Sequence, residues 1–147
     1  MHTNRLAGRV VWLVGRASLQ AQRLLHQRFA EHDLRKQHYG VLRSLADVGP
    51  AAQGPLADRV GLDRSDMVSL VDELESAGHV RRNPDPADRR RKIVTITGSG
   101  AAVLDELHGL VSAADDELLA PLSEAERRTL VELLTRILPA ADRGRAP

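Results

Sequence analysis

The stretch PLADRVGLDRSDMVSLVDELESAG, residues 55–78, decides the reading of the fold. A short helix begins near Pro55 and carries Leu56, Ala57 and Val60, and Gly61 ends it with a tight turn. Asp63 then stands as an N-cap for a helix over Arg64 to Ala77. Along that helix Met67, Leu70, Val71 and Leu74 fall at i, i+3, i+4 and i+7, which puts them on one inward face. Gly78 closes it as a left-handed C-cap. Two helices joined by a glycine-containing turn form a helix-turn-helix, in which the second helix enters the major groove of a DNA duplex.

Upstream, Leu6, Val10, Leu13, Ala17, Ala21 and Leu24 recur at spacings of three and four, and no proline interrupts them, which predicts a long amphipathic helix from Arg5 to about Phe29. A second helix follows, with Asp33 as its expected N-cap and Leu34, Tyr39, Leu42, Leu45 and Ala46 apolar, until Gly49-Pro50 stops it. Downstream of Gly78 the period changes. His79 to Arg82 and Ile93 to Ile96 read as two short strands around a loop rich in Pro and Asp, a hairpin with a basic tip. Thr97 caps a helix whose apolar positions are Val103, Leu104, Leu107, Val111, Ala114 and Leu118, ending near Pro121. Ser123 with Glu126 three residues later is a capping box for a last helix to Pro139, and the tail from Ala140 to Pro147 is expected to fray.

Composition narrows the function classes. The chain of 147 residues has no cysteine, so a disulfide framework, a thiolate metal site and a cysteine nucleophile are all excluded. No apolar run approaches the roughly 20 residues of a membrane span, and arginines punctuate the first helix where a signal peptide needs an apolar core, so a cytoplasmic protein is expected. Net charge is only +1, but its distribution is uneven. Between Arg81 and Lys92 six basic residues stand against two acidic ones, a local balance of +4. Trp12, Phe29 and Tyr39 are the only aromatic residues, too few for a base-stacking surface, which favours duplex DNA over single strands or RNA as the polyanion.

The order of helices, the hairpin string Asp85-Pro86-Ala87-Asp88-Arg89-Arg90-Arg91-Lys92, and the run from Leu74-Glu75 through Gly78 and Val80 to Ile96-Thr97 and Gly100 resemble the MarR family of transcriptional regulators over roughly Leu6 to Leu138. The resemblance implies a mostly α-helical winged helix-turn-helix with flanking dimerisation helices and one β-hairpin wing. The implied layout is a single domain over 1–147, with the DNA-binding lobe at 34–99 and dimerisation helices at 5–30 and 100–138. It also implies a homodimer on a palindromic operator, commonly released by a small ligand. Two departures stand out: Arg35 occupies a position where many members start the second helix with threonine, and the recognition helix carries Asp66, Asp72 and Glu73 with Arg64 as its only base.

Candidate DNA contacts follow. Arg89, Arg90, Arg91 and Lys92 suit phosphates or a narrow minor groove. Asp88 has an organising role by resemblance, with Arg90 placed at the groove. Arg64, Ser65, Val68 and Ser69 lie opposite the apolar face of the recognition helix, near its N-terminus, where base edges are read. The resemblance implies a ligand cleft between the dimerisation helices and the DNA-binding lobe, for which Trp12, Arg16, His38 and Tyr39 are the candidate lining residues, an aromatic and a cation suiting a small aromatic or anionic effector. Gly40, where urate-responsive relatives carry an acid, speaks against urate. His26, His32 and His38 are six apart, not the three or four that place two metal ligands on one helical face.

No Gly-rich phosphate loop, nucleophile elbow or paired-histidine zinc motif is present, so no catalytic residue, metal ligand or cofactor is assigned and an enzyme is not expected. The sequence is therefore read as a DNA-binding, ligand-responsive repressor acting as a homodimer on an inverted repeat. The alternatives are a winged-helix protein-interaction module without DNA, and a metal-sensing regulator.

Overall fold

The computed structural model describes residues 8–140, so Arg5 and Leu6 of the expected first helix and the tail beyond Ala140 lie outside the described residues. Six helices and three strands follow in the order α1 (Val10–Ala30), α2 (Lys36–Val48), β1 (Ala51–Ala52), α3 (Gln53–Val60), α4 (Arg64–Ser76), β2 (Val80–Pro84), β3 (Lys92–Ile96), α5 (Gly98–Leu118) and α6 (Glu124–Ile137). The described residues divide into two compact units, 25–111 and, from either side of it, 8–24 with 112–140.

The central unit is the winged helix. Its core is the expected face of α4, Met67, Leu70, Val71 and Leu74, packed with Val41, Leu42 and Leu45 of α2, Leu56 and Ala57 of α3, and Leu104 and Leu107 of α5. The sheet runs β1-β3-β2, antiparallel throughout, with Ala51 opposite Val94 and Val80 opposite Ile96. Val80 and Val94 are its buried side chains within β2 and β3, so the alternation of the hairpin turns one residue in two towards the helices.

Turn chemistry sets the angles between these elements. Gly61 takes φ +72° and Leu62 N–H bonds the Ala57 carbonyl at 3.0 Å, which lets α4 start immediately after α3. At the far end of α4, Gly78 takes φ +81°, its N–H reaches the Glu75 carbonyl at 2.9 Å, and His79 N–H reaches the Leu74 carbonyl at 2.8 Å. That pair of bonds is a Schellman motif, and it feeds the chain straight into β2. The Thr97 hydroxyl donates to the Gly78 carbonyl at 2.6 Å and accepts from Gly100 N–H at 3.0 Å, so the start of α5 is tied to the end of α4. Gly100 sits directly against the His79 carbonyl, where a Cβ would overlap that oxygen.

The connection before α2 differs from the expectation. Asp33 does not cap α2. It holds φ +55° in the turn that ends α1, where Leu34 N–H returns to the Phe29 carbonyl at 3.1 Å. Aspartate tolerates this left-handed position better than most residues, and it is used there in place of glycine. Arg35 is the N-cap of α2 instead. An arginine side chain has no acceptor to offer, and the cap is made from the other side: Arg35 N–H donates to Nδ1 of His38, three residues on, at 2.9 Å.

In the terminal unit, Ser123 Oγ accepts from Glu126 N–H at 3.2 Å and Glu126 Oε1 accepts from Ser123 N–H at 2.9 Å, the expected capping box of α6. Arg127 of α6 donates to Asp116 of α5 at 2.9 Å. No α6 residue is buried, although Val131, Leu133, Leu134, Ile137 and Leu138 are all apolar and exposed. Val10, Val11, Leu13, Val14 and Leu19 of α1 are exposed as well.

Candidate nucleic-acid interface

Asp63 is the N-cap of α4, and its Oδ1 accepts from Asp66 N–H at 2.9 Å and from the Ser65 hydroxyl at 2.7 Å. These bonds hold the Asp63 carboxyl below its usual pKa, the backbone bond from Asp66 being the larger cause. Ser65, Val68 and Ser69 lie on the exposed face, with Val68 presenting its methyls to solvent. Arg64 points elsewhere. Its guanidinium lies over the α-carbon of Gly54 in α3, so that a Cβ there would sit 3.5 Å from Cζ.

Asp72, Glu73 and Glu75 of α4 have partners within the protein. Asp72 accepts from Arg82 Nη2 at 2.5 Å and Glu75 accepts from Arg82 Nη1 at 3.1 Å and from Arg82 main-chain N–H at 2.9 Å. Arg82 Nε also donates to Gln53 Oε1, at 2.7 Å, so one guanidinium joins β2, α4 and α3. Glu73 faces the other way. It accepts from Arg35 Nη2 at 2.9 Å and lies 2.6 Å from His38 Nε2. Because His38 Nδ1 is occupied as an acceptor by Arg35 N–H, the ring proton belongs on Nε2, donating to Glu73. Burial lowers the His38 pKa against the pull of Glu73, and the bond from His38 is the chief reason that the Glu73 carboxyl titrates low.

In the sequence Arg82 is one of the wing cations, with no role of its own. The signal that sets it apart is Asp72 and Glu75, three residues apart on one helical face, with an arginine on the first strand beyond the helix.

The wing loop between β2 and β3 is shaped by its two aspartates. Asp85 Oδ1 accepts from Ala87 N–H at 2.9 Å, and Asp88 Oδ1 accepts from Arg90 N–H at 3.1 Å. Asp85 N–H and Arg91 N–H complete the turn on the Arg91 and Asp88 carbonyls. Asp88 thus engages the main chain of Arg90 and leaves its guanidinium out. Among the described residues, Arg64, Arg89, Arg90, Arg91 and Lys92 make no side-chain ion pair, whereas Arg35, Arg43, Arg82 and Arg127 each do. An open cleft of about 550 Å³ between α3, the start of α4 and the root of the wing is lined by Gln53, Gly54, Asp58, Arg64, Arg91 and Lys92.

The ligand candidates separate by unit. In the central unit His38 is bonded as above, and the Tyr39 hydroxyl meets His108 Nδ1 at 2.9 Å with the two rings edge to face; burial raises the Tyr39 pKa. In the terminal unit Arg16 stacks on Trp12 at 5.3 Å from the ring centroid, and a hollow of about 420 Å³ is lined by Arg16, Ala17, Leu19, Gln20, Arg23 and Leu118. Among the described residues no three His, Asp or Glu side chains gather as a metal cage: His32 faces Glu106, His38 faces Glu73 and His108 faces Tyr39. No described helix is long and apolar enough to cross a membrane.

A helix-turn-helix with unpaired cations at its second helix and on an adjoining hairpin defines a winged-helix DNA-binding protein. Comparison with known proteins makes the class specific. The model of the MarR family matches residues 32–91. Transcriptional regulator HosA of Escherichia coli O111:H- is 30% identical over 125 residues, covering 79% of this chain and 93% of that one. Another curated relative, 37% identical, is spanned over only 60% of its length. A mutant MarR from E. coli complexed with operator DNA superposes with a TM-score of 0.71 at 30% identity, covering 86% of this chain and 91% of that one. The PcaV transcriptional regulator from Streptomyces coelicolor, in complex with its natural ligand, superposes with a TM-score of 0.72 at 28% identity, over 96% and 99% of the two chains. The chain belongs to the MarR family of transcriptional regulators.

Proposed function

We propose that this regulator is a ligand-responsive repressor that binds an inverted-repeat operator as a homodimer. The observation that carries the reading is the sorting of charge: Asp72, Glu73 and Glu75 of α4 are bonded inside the protein while Arg64, Arg89, Arg90, Arg91 and Lys92 are left for an external polyanion. The operator-bound relative supports duplex DNA as that polyanion. Ser65, Val68 and Ser69 are the base-edge candidates, and Asp88 shapes the wing that carries the phosphate contacts.

The dimer is supported by the exposed apolar residues of α1 and α6, which a second copy buries by a two-fold axis. In this reading residues 1–147 act as one functional domain, with the DNA-binding lobe at 34–99 and the helices at 5–30 and 100–138 dimerising. The effector is a small aromatic or anionic molecule, for which the Trp12–Arg16 stack and the Arg16–Arg23 hollow offer a ring face and two guanidiniums; the ligand-bound relative supports this. The protein works in the cytoplasm and carries out no catalysis.

The deciding experiment selects duplexes from a random pool with the full-length protein and measures their binding over a salt series. Enrichment of an inverted repeat, with affinity falling steeply as salt rises, is the expected result. Retention of no duplex at low salt would leave a winged-helix module that serves protein contacts instead.

A further inference from the structure

We infer that the cleft formed by Arg64, Arg91 and Lys92 is a seat for one phosphodiester of the DNA backbone, so that Arg64 grips phosphate rather than reading a base. The inference rests on the DNA-binding reading above and changes what its recognition helix does.

Arg64 is the first residue of α4 and the helix's only base. Its guanidinium is not carried on the exposed face with Ser65 and Ser69. It is folded back over Gly54, with Nη2 and Cζ both 3.5 Å from where a Cβ would stand, and it lines the same cleft as Arg91 and Lys92. Three cations from two separate chain segments therefore share one open space with a single carboxylate, Asp58. Arg64, Arg91 and Lys92 have no ion pair among the described residues. Cations gathered this way repel one another, and an anion between them relieves the repulsion.

A phosphodiester suits the arrangement. It offers two unesterified oxygens, enough for a guanidinium fork and an ammonium together, and it carries the charge that the cluster lacks. A guanine edge offers two neutral acceptors and requires the arginine to extend along the groove-facing side of the helix, away from the wing root. The cleft's mouth lies between the two elements that straddle a DNA backbone in a winged helix, the recognition helix and the hairpin.

The consequence for specificity is that base reading falls to short side chains, Ser65, Val68 and Ser69, while Arg64 with the wing root sets the register of the protein on the duplex.

The test uses the full-length protein, wild type and the variants Arg64→Ala and Arg64→Lys, on the duplex selected from a random pool and on an unrelated duplex of equal length, over a salt series. For one phosphate per subunit, Arg64→Ala should flatten the log-log salt slope by about 2 per dimer and weaken both duplexes by the same factor, with Arg64→Lys close to wild type. Methylphosphonate placed singly along the selected duplex should identify one phosphate per half-site whose neutralisation weakens wild type more than it weakens Arg64→Ala, in which Arg91 and Lys92 still face that phosphate. A loss of about 5- to 150-fold on the selected duplex alone, with an unchanged slope and every methylphosphonate position weakening wild type and variant equally, would assign Arg64 to a base and overturn the inference. If wild type binds no duplex at all, the proposed function fails first and this inference falls with it.

Discussion

Arg82→Ala removes the guanidinium that joins β2 to α3 and α4, and its cost can be worked from the contacts. The side chain is 19% exposed, while its carboxylate partners Asp72 and Glu75 are 58% and 40% exposed, so the two ion pairs belong to the solvent-screened class worth about 0.2–1 kcal/mol each. The bond to Gln53 adds about 0.5–1.5 kcal/mol, and the main-chain bond from residue 82 to Glu75 survives the substitution. The expected loss is about 1–3 kcal/mol, which for a chain of this length lowers the unfolding midpoint by roughly 3–9 °C at fixed protein concentration. DNA binding should suffer as well, because Asp72 and Glu75 are left uncompensated on the helix that approaches the duplex. Circular dichroism melts and fluorescence anisotropy on a selected duplex measure the two effects. Pairing Arg82→Ala with Asp72→Asn separates them: the pair should regain part of the affinity without regaining the melting temperature. An Arg82→Ala protein that melts within about 1 °C of wild type and binds as tightly would refute the reasoning, leaving the clasp a solvated contact.

Gly100→Ala should be as costly as a misfitted core residue, about 1–3 kcal/mol or more, since the added Cβ meets the His79 carbonyl oxygen rather than a movable side chain; thermal melts read it directly. Stability should fall as pH drops below about 6.5, because the unfolded chain takes up a proton at residue 38 that the folded chain, with a lowered His38 pKa and Nδ1 already accepting from Arg35 N–H, resists; urea titrations at pH 7.0 and 5.5 should show this dependence weakened in His38→Gln. Ile137→Glu places a charge among the exposed apolar residues of α6 and should convert the sedimenting species from dimer to monomer, an effect that an unchanged sedimentation coefficient at low micromolar concentration would rule out.

The local punctuation of the chain is legible in its sequence. Asp63, Gly61, Gly78 and the Ser123–Glu126 pair act through bonds that span a few residues, and the apolar face of α4 needs only its own periodicity to be found. What escapes such reading depends on partners far along the chain or on segments too short to carry a period. β1 is two alanines, with no alternation and no β-branched residue, and becomes a strand only because Ile93 and Val94 lie beside it. The N-cap role expected of Asp33 passes to Arg35 because His38 caps α2 from within the helix, which needs the ring oriented by Glu73, 35 residues further on. Of the candidate site, the composition of the wing is plain from its charge run. The separation of Arg82 from its neighbours is not, since only tertiary partners distinguish one arginine from the next.

The joint made by Gly78, His79, Thr97 and Gly100 also predicts how the winged helix breathes. Thr97 N–H bonds the His79 carbonyl at 3.1 Å while its hydroxyl bonds Gly78, so the end of α4, the start of β2 and the first turn of α5 cannot separate independently. In hydrogen exchange these three should open as one cooperative unit, at a shared and slow rate. The wing tip, held chiefly by exposed turn bonds at Asp85 and Asp88, should exchange orders of magnitude sooner. On DNA that order of protection would change only at the tip, where amides would slow while those of the joint kept their rate.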